Sequence, residues 1–99
     1  MFKALPRTAE AQIIGKQILR SGTSVAANYR AACRARSRAE FVAKIGVVAE
    51  EADETVFWLE LLIETETVAA TKLSDLTNEA QQLAAIFTAS QATAKAAGR

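Results

Sequence analysis

The sequence predicts an all-α protein, a single domain over residues 1–99 built as an antiparallel, up-down helical bundle. Hydrophobic residues make up 51% of the chain, Gly occurs four times and the one Pro is at position 6, a composition that favours long helices. Apolar residues also recur at steps of three and four, the period of one helix face. Ninety-nine residues suffice for one core, and no linker or repeat divides them.

The first long helix is predicted from Thr8 to Ala35. Its apolar stripe consists of Ile14, Ile18, Val25, Tyr29 and Ala32. Residues 21–24 are Ser, Gly, Thr and Ser, which are poor helix formers, so we expect a kink or a local irregularity there.

The second helix is predicted to begin at Ser37, the N-cap of a capping box that Glu40 completes. Its stripe consists of Phe41, Ile45, Val48, Ala52, Val56, Leu59 and Ile63, and Val47, Trp58, Leu61 and Leu62 form a second face. Two apolar faces indicate that this helix is central in the bundle.

The third helix is predicted from about Ala69 to Ala96. Its three-four seam consists of Leu73, Leu76, Ala80, Leu83, Phe87, Ser90 and Ala94. Short connections near residues 36–37 and 65–68 make consecutive helices antiparallel.

The second helix carries more apolar surface than two neighbours readily cover. Phe2, Ala4 and Leu5, stopped by Pro6, have the pattern of the last turn of a further helix. We therefore expect four-helix architecture with the first helix largely missing from this chain, or a neighbouring subunit in its place.

Charge is divided unevenly along the chain. Residues 1–44 hold nine Lys/Arg and two acids, which gives +7, and residues 45–99 hold three and nine, which gives −6. Four arginines fall within nine residues: Arg30, Arg34, Arg36 and Arg38. The helix dipole accounts for Arg34 and Arg36 near a helix end, but it disfavours Arg38 in the first turn of the next helix.

Two interpretations of this cluster stay open at the level of sequence. The arginines either meet acids of the second helix, such as Glu50 and Glu54, in the same or a neighbouring subunit, or they bind phosphates. A basic cluster without interleaved aromatics predicts salt-sensitive binding that is largely independent of nucleic-acid sequence.

The remaining candidates favour structural roles. Asn28, one turn after Ser24 and next to Tyr29, is expected to fix helix register at an interface, and Trp58 to belong to the core or an interface. Cys33 is expected to be a small buried residue, and as a lone cysteine it favours the reducing cytoplasm. No signal peptide or membrane span is predicted.

The sequence does not favour an enzyme. Glu50 and Glu54 share a helix face, but carboxylate-bridged metal centres in bundles also use His, and the chain has none. The missing His also removes the usual general base. We expect no catalytic residue, no metal and no cofactor.

Three runs carry a resemblance to a known family. They are RSGTSVAANYRAACRARSRAEF at 20–41, EEADETVFWLELL at 50–62 and LAAIFTASQATAK at 83–95. The chain resembles the four-helix bundle proteins also called 23S rRNA intervening-sequence proteins. The family's motif falls on Arg20, Ser24, Ala27, Asn28, Arg36, Ser37, Glu40 and Phe41. Where the family commonly has an acid after the Asn, this chain has Ala31.

This resemblance implies an up-down four-helix bundle, assembly into a homopentamer, nucleic-acid binding and no enzymatic activity. The chain is also similar to accessory variability proteins of diversity-generating retroelements, which implies a reverse transcriptase as a protein partner.

The functional hypothesis is a non-catalytic oligomeric module that serves as an RNA or DNA adaptor. Its candidate nucleic-acid contacts are Arg20, Arg30, Arg34, Arg36 and Arg38. The interface or structural motif comprises Ser24, Asn28, Tyr29, Ser37, Glu40, Phe41, Glu50, Glu54 and Trp58. The alternative is a purely structural or protein-binding module whose arginines pair with the acidic second helix across subunits.

Overall fold

The computed structural model describes residues 8–65 and 70–97, which form three α-helices: α1 Ala9–Cys33, α2 Arg38–Glu64 and α3 Ala70–Ala97. The described residues contain no strand, and the predicted all-α bundle is confirmed. The helical turn predicted at residues 2–6 lies outside the described residues. None of the described helices is long and apolar enough to cross a membrane.

The predicted helix starts of α1 and α2 are confirmed by their caps. Thr8 is the N-cap of α1, and its Oγ1 accepts a hydrogen bond from the Ala11 amide at 3.2 Å. Ser37 is the N-cap of α2, and its Oγ accepts from the Glu40 amide at 3.1 Å. The Glu40 carboxylate accepts from the Arg36 amide at 3.4 Å, one residue before the cap. The two hydrogen bonds at Ser37 and Glu40 stabilise the turn between α1 and α2.

Residues 21–24, where the sequence predicts a kink or a local irregularity, are helical, and α1 is continuous from Ala9 to Cys33. The hydroxyl of Thr23 donates to the Leu19 carbonyl at 2.8 Å, within the same helix. Ser21 is fully buried, and its Oγ accepts from the Thr55 hydroxyl of α2 at 2.8 Å. Packing against α2 therefore holds this weak segment in helical form.

Helix α2 is central, as predicted, and packs along both α1 and α3. The main buried cluster consists of Ile14, Ile18, Leu59, Leu62 and Leu73. In the first half of α2, Gly46 leaves room for the side-chain amide of Gln91 on α3, which donates to the Val42 carbonyl at 3.5 Å. Burial of this cluster on both sides of α2 stabilises the antiparallel arrangement.

The seam predicted for α3 is only partly buried. Leu73 is buried, but Leu76 and Leu83 are 39% and 42% exposed because they line a groove between α3 and α1. At one end of the molecule the rings of Tyr29 and Phe87 link α1 and α3, with centroids 5.7 Å apart.

Candidate nucleic-acid interface

One end of the bundle collects the basic residues. The end of α1, the start of α2 and the end of α3 meet there, because α1 and α3 run parallel to each other and antiparallel to α2. We call this surface the basic end; its members are Arg30, Arg34, Arg36, Arg38 and Lys95, all exposed. The four arginines are close in sequence, and the antiparallel topology brings Lys95 of α3 to the same end.

Arg38 has a structural role that its own helix does not explain. Its Nη1 donates to the carbonyl of Ala97, in the last turn of α3, at 2.7 Å. A cation is stabilised at a helix C-terminus, where carbonyl groups lack partners within the helix. Arg38, in the first turn of α2, therefore caps the C-terminus of α3.

Arg30, Arg34 and Arg36 form no side-chain ion pair with any residue in 8–65 or 70–97. The acid nearest to them in sequence, Glu40, accepts from a backbone amide. Three guanidinium groups without internal acids present a positive surface that attracts an anionic partner. Phosphate is well suited to it, because a guanidinium can bind two phosphate oxygens at once.

Lys95 was not identified from the sequence. It lies in the last turn of α3, fifty-seven positions after Arg38, and joins the basic end only through the bundle topology. Two features of the sequence could have assigned Lys95 to the basic end. It is a basic residue in the last turn of α3, and α3 is predicted to run parallel to α1.

Arg20 lies apart from the basic end, in the middle of α1. Its Nη2 is 2.5 Å from Glu54 Oε1 and its Nη1 is 3.3 Å from Glu51 Oε2, both on α2. Its Nε also donates to Gln17 at 3.0 Å. The hydrogen bond to Glu54 raises the pKa of Arg20. Because two carboxylates compensate its charge, Arg20 has little attraction left for a phosphate.

Glu54 connects this ion pair to an aromatic pair. Its carboxylate accepts from the indole Nε1 of Trp58 at 3.3 Å, and Trp58 packs edge-on against Phe57 with centroids 5.0 Å apart. The Arg20 guanidinium, followed by the Trp58 indole, lowers the pKa of Glu54. Trp58 is half-buried and packs against the main buried cluster.

The predicted interface residues of α1 bond mostly within their own helix. Asn28 Nδ2 donates to the carbonyl and the hydroxyl of Ser24 at 2.9 and 3.1 Å. The hydrogen bond from the Tyr29 hydroxyl to Cys33 raises the pKa of Tyr29. Cys33 is exposed, so the expectation that it is buried is wrong; it is the last residue of α1.

The second-helix candidates lie at different distances from the basic end along α2. Phe41 is half-buried three residues after Arg38, and its backbone amide donates a hydrogen bond to the Ser37 carbonyl at 3.0 Å. Glu50 is exposed and has no ion pair within the described part of the chain. The described residues bring together no group of three or more His, Cys, Asp or Glu that could hold a metal.

Comparison with known proteins identifies a family to which this chain is similar. A family model described as 23S rRNA-intervening sequence protein matches residues 1–89. The chain is also similar to the crystal structure, at 1.70 Å, of a protein of unknown function from the S23 ribosomal protein family of Bacteroides thetaiotaomicron. That match has a TM-score of 0.73 and 42% identity and covers 78% of this chain and 71% of the other. No curated protein matches.

Proposed function

The chain belongs to the 23S rRNA-intervening sequence protein family, and we propose that it is a non-catalytic, oligomeric module that binds RNA or DNA through its basic end. As an adaptor it would hold nucleic acid by the phosphate backbone and leave chemistry to a partner. A single free thiol, Cys33, supports action in the reducing cytoplasm.

One observation carries this proposal: Arg30, Arg34 and Arg36 are exposed at one end of the bundle, and none of them forms an ion pair with an acid among the described residues. Phosphate contacts by such groups release counterions and dominate nucleic-acid affinity. They position a protein on the backbone and carry no base information. The expected binding is therefore sensitive to salt and tolerant of sequence.

Charge reversal at the basic end tests the proposal. The variant Arg34→Glu with Arg36→Glu is titrated against a labelled single-stranded RNA, and against a DNA duplex of equal length, in about 50 mM salt. The wild type is expected to bind, and the variant to lose at least about tenfold in affinity. Arg38 is left intact because it caps α3.

Arg20→Gln is the matched control, since it removes a guanidinium that Glu51 and Glu54 already compensate. It should leave nucleic-acid affinity unchanged. Equal binding by the wild type and the double charge-reversal variant would contradict the proposal, and so would a wild type that binds neither ligand.

A second candidate function is a module in which the basic end of one copy pairs with α2 of another. Glu50 and Asp53 favour it, because both are exposed and neither has an ion pair within the described residues. The same charge-reversal variant separates the two functions. Loss of oligomer mass supports subunit pairing, and loss of nucleic-acid binding at constant mass supports the adaptor.

A further inference from the structure

An exposed aromatic side chain lies beside the basic end. Tyr29 contacts Phe87 of α3, with ring centroids 5.7 Å apart and ring planes at 51°. Even so, 48% of Tyr29 is accessible to solvent. A tyrosine that only filled the contact between α1 and α3 would be largely covered by them. About half of this side chain is therefore free to meet a ligand.

Two contacts hold the ring of Tyr29 in place. Phe87 packs against it from α3, and the Tyr29 hydroxyl forms a hydrogen bond with Cys33, one turn further along α1. A tyrosine also has only two side-chain torsions to fix. The ring is therefore oriented in the free protein, and a ligand that binds it loses little free energy to ordering the side chain.

Cations from two helices flank this ring. Arg30 follows Tyr29 directly, and Arg34 is five residues after Tyr29, about 7.5 Å along the axis of α1. Lys95 adds a cation from α3, eight residues after Phe87. An exposed aromatic ring among cations is the combination that binds single-stranded nucleic acid, because the cations hold phosphates and a base stacks on the ring.

The space next to the ring pair is open. A groove between α1 and α3 is lined by Gly22 and Val25 of α1 and by Leu83 of α3, among other residues. Val25 lies one turn before Tyr29, and Leu83 lies one turn before Phe87, so the two rings border this groove. A flat base that approaches from the groove would meet apolar neighbours and the accessible part of Tyr29.

We propose that Tyr29 stacks on an unpaired base, which makes single-stranded nucleic acid the preferred ligand of the basic end. This inference deepens the proposed function and rests on it: the arginines hold phosphates, and Tyr29 selects the strand. Bases inside a duplex are stacked on their neighbours, so only an unstacked base can use the ring. Electrostatic attraction alone would favour the duplex, because its charge density is higher. A preference for the single strand therefore requires a contact such as Tyr29.

The test measures the affinity of the wild type and of Tyr29→Leu for three DNA ligands by fluorescence anisotropy. The ligands are an unstructured single strand, an abasic strand of the same length and a duplex of the same length. Leucine removes the ring but keeps an apolar side chain against Phe87. Tyr29→Leu is expected to bind the base-containing single strand at least about fivefold more weakly. Its affinity for the abasic strand and the duplex should not change, because neither offers an unstacked base.

Two control variants separate stacking from other effects. Tyr29→Phe keeps the ring and loses the hydroxyl, so it should retain wild-type affinity for all three ligands. Phe57→Leu removes another exposed aromatic ring, 55% accessible and about 28 Å along α2 from Arg38, and should change nothing. Circular dichroism establishes that each variant remains helical. The wild type also provides a test without any substitution, since it should bind the base-containing strand at least about fivefold more tightly than the abasic strand.

Equal losses of affinity for all three ligands in Tyr29→Leu overturn the stacking proposal, and so does an unchanged affinity for the single strand. A wild type that prefers the duplex overturns it as well. Stacking involves no charge, so Tyr29→Leu should leave the salt dependence of binding unchanged, whereas Arg34→Glu with Arg36→Glu should weaken that dependence. If the charge reversal abolishes binding and Tyr29→Leu has no effect, stacking is refuted and the phosphate contacts stand. A wild type that binds none of the ligands refutes both.

Discussion

Replacing Thr77 with Val should stabilise the protein, because this hydroxyl is the buried polar group that the described residues leave without a hydrogen-bond partner. Thr77 is 7% exposed, so water replaces the missing partner poorly. A buried unsatisfied polar group costs about 1–3 kcal/mol. Valine keeps the shape and the β-branching of threonine and removes the polar oxygen.

The expected gain in the free energy of unfolding is about 1–2 kcal/mol, the lower part of that range, since helical neighbours relax around the site. The Tm should rise roughly 4–8 °C for each kcal/mol in a domain of this size. Urea unfolding followed by circular dichroism measures the change, with wild type and variant at equal chain concentration because association shifts apparent stability.

Thr88→Val is the matched control on the same helix. Thr88 is exposed, and its hydroxyl donates to the Ala84 carbonyl at 2.8 Å, so the same chemical change removes a satisfied group. Surface changes of this kind stay within about 0.5 kcal/mol. If Thr77→Val stabilises no more than Thr88→Val, the reasoning from the unpartnered hydroxyl is refuted.

Three further substitutions test local features. Gly22→Ala should stabilise the dilute chain by about 1 kcal/mol in urea unfolding, because Ala favours helix and the added Cβ meets open space; a loss of stability would contradict the open groove. Glu54→Gln should lower stability at neutral pH, because Arg20 lowers the folded pKa of Glu54. The difference should be constant above the ordinary Glu pKa of about 4.3 and shrink as pH falls through the folded pKa, and a pH-independent difference would contradict the ion pair. Arg38→Gln should speed amide hydrogen exchange in the last turn of α3, where the side chain bonds Ala97, and unchanged exchange would exclude the cap.

Local patterns were sufficient to predict the three helices and their order. The Ser37 cap and the three-four stripe of α2 depend on residues close in sequence, and the structure confirms them. The weak helix formers at residues 21–24 do not interrupt α1, and Thr55, thirty-four positions away, donates a hydrogen bond to Ser21. Helix propensity is a weak preference that such packing overrides.

The candidate site was predictable in part. The concentration of arginines is visible in the sequence, but their separation into two environments depends on tertiary contacts. Arg20 meets Glu51 and Glu54 of α2, and Arg38 meets the end of α3, fifty-nine positions away. Sequence neighbours do not distinguish Arg20 and Arg38 from Arg34, because the groups that bind Arg20 and Arg38 lie on other helices.

The salt dependence of RNA binding tests the central claim most directly. Each phosphate contact on a single strand contributes about −0.7 to the slope of log K against log salt, so Arg30, Arg34 and Arg36 predict a slope of about −2 per chain. Affinity should then fall roughly 18-fold between about 50 and 200 mM salt. Replacing all three arginines with Gln should reduce the magnitude of the slope by about 2, with Lys95 still present at the basic end, while Arg20→Gln leaves the slope unchanged. A wild-type slope that survives in the triple variant would contradict binding through the basic end.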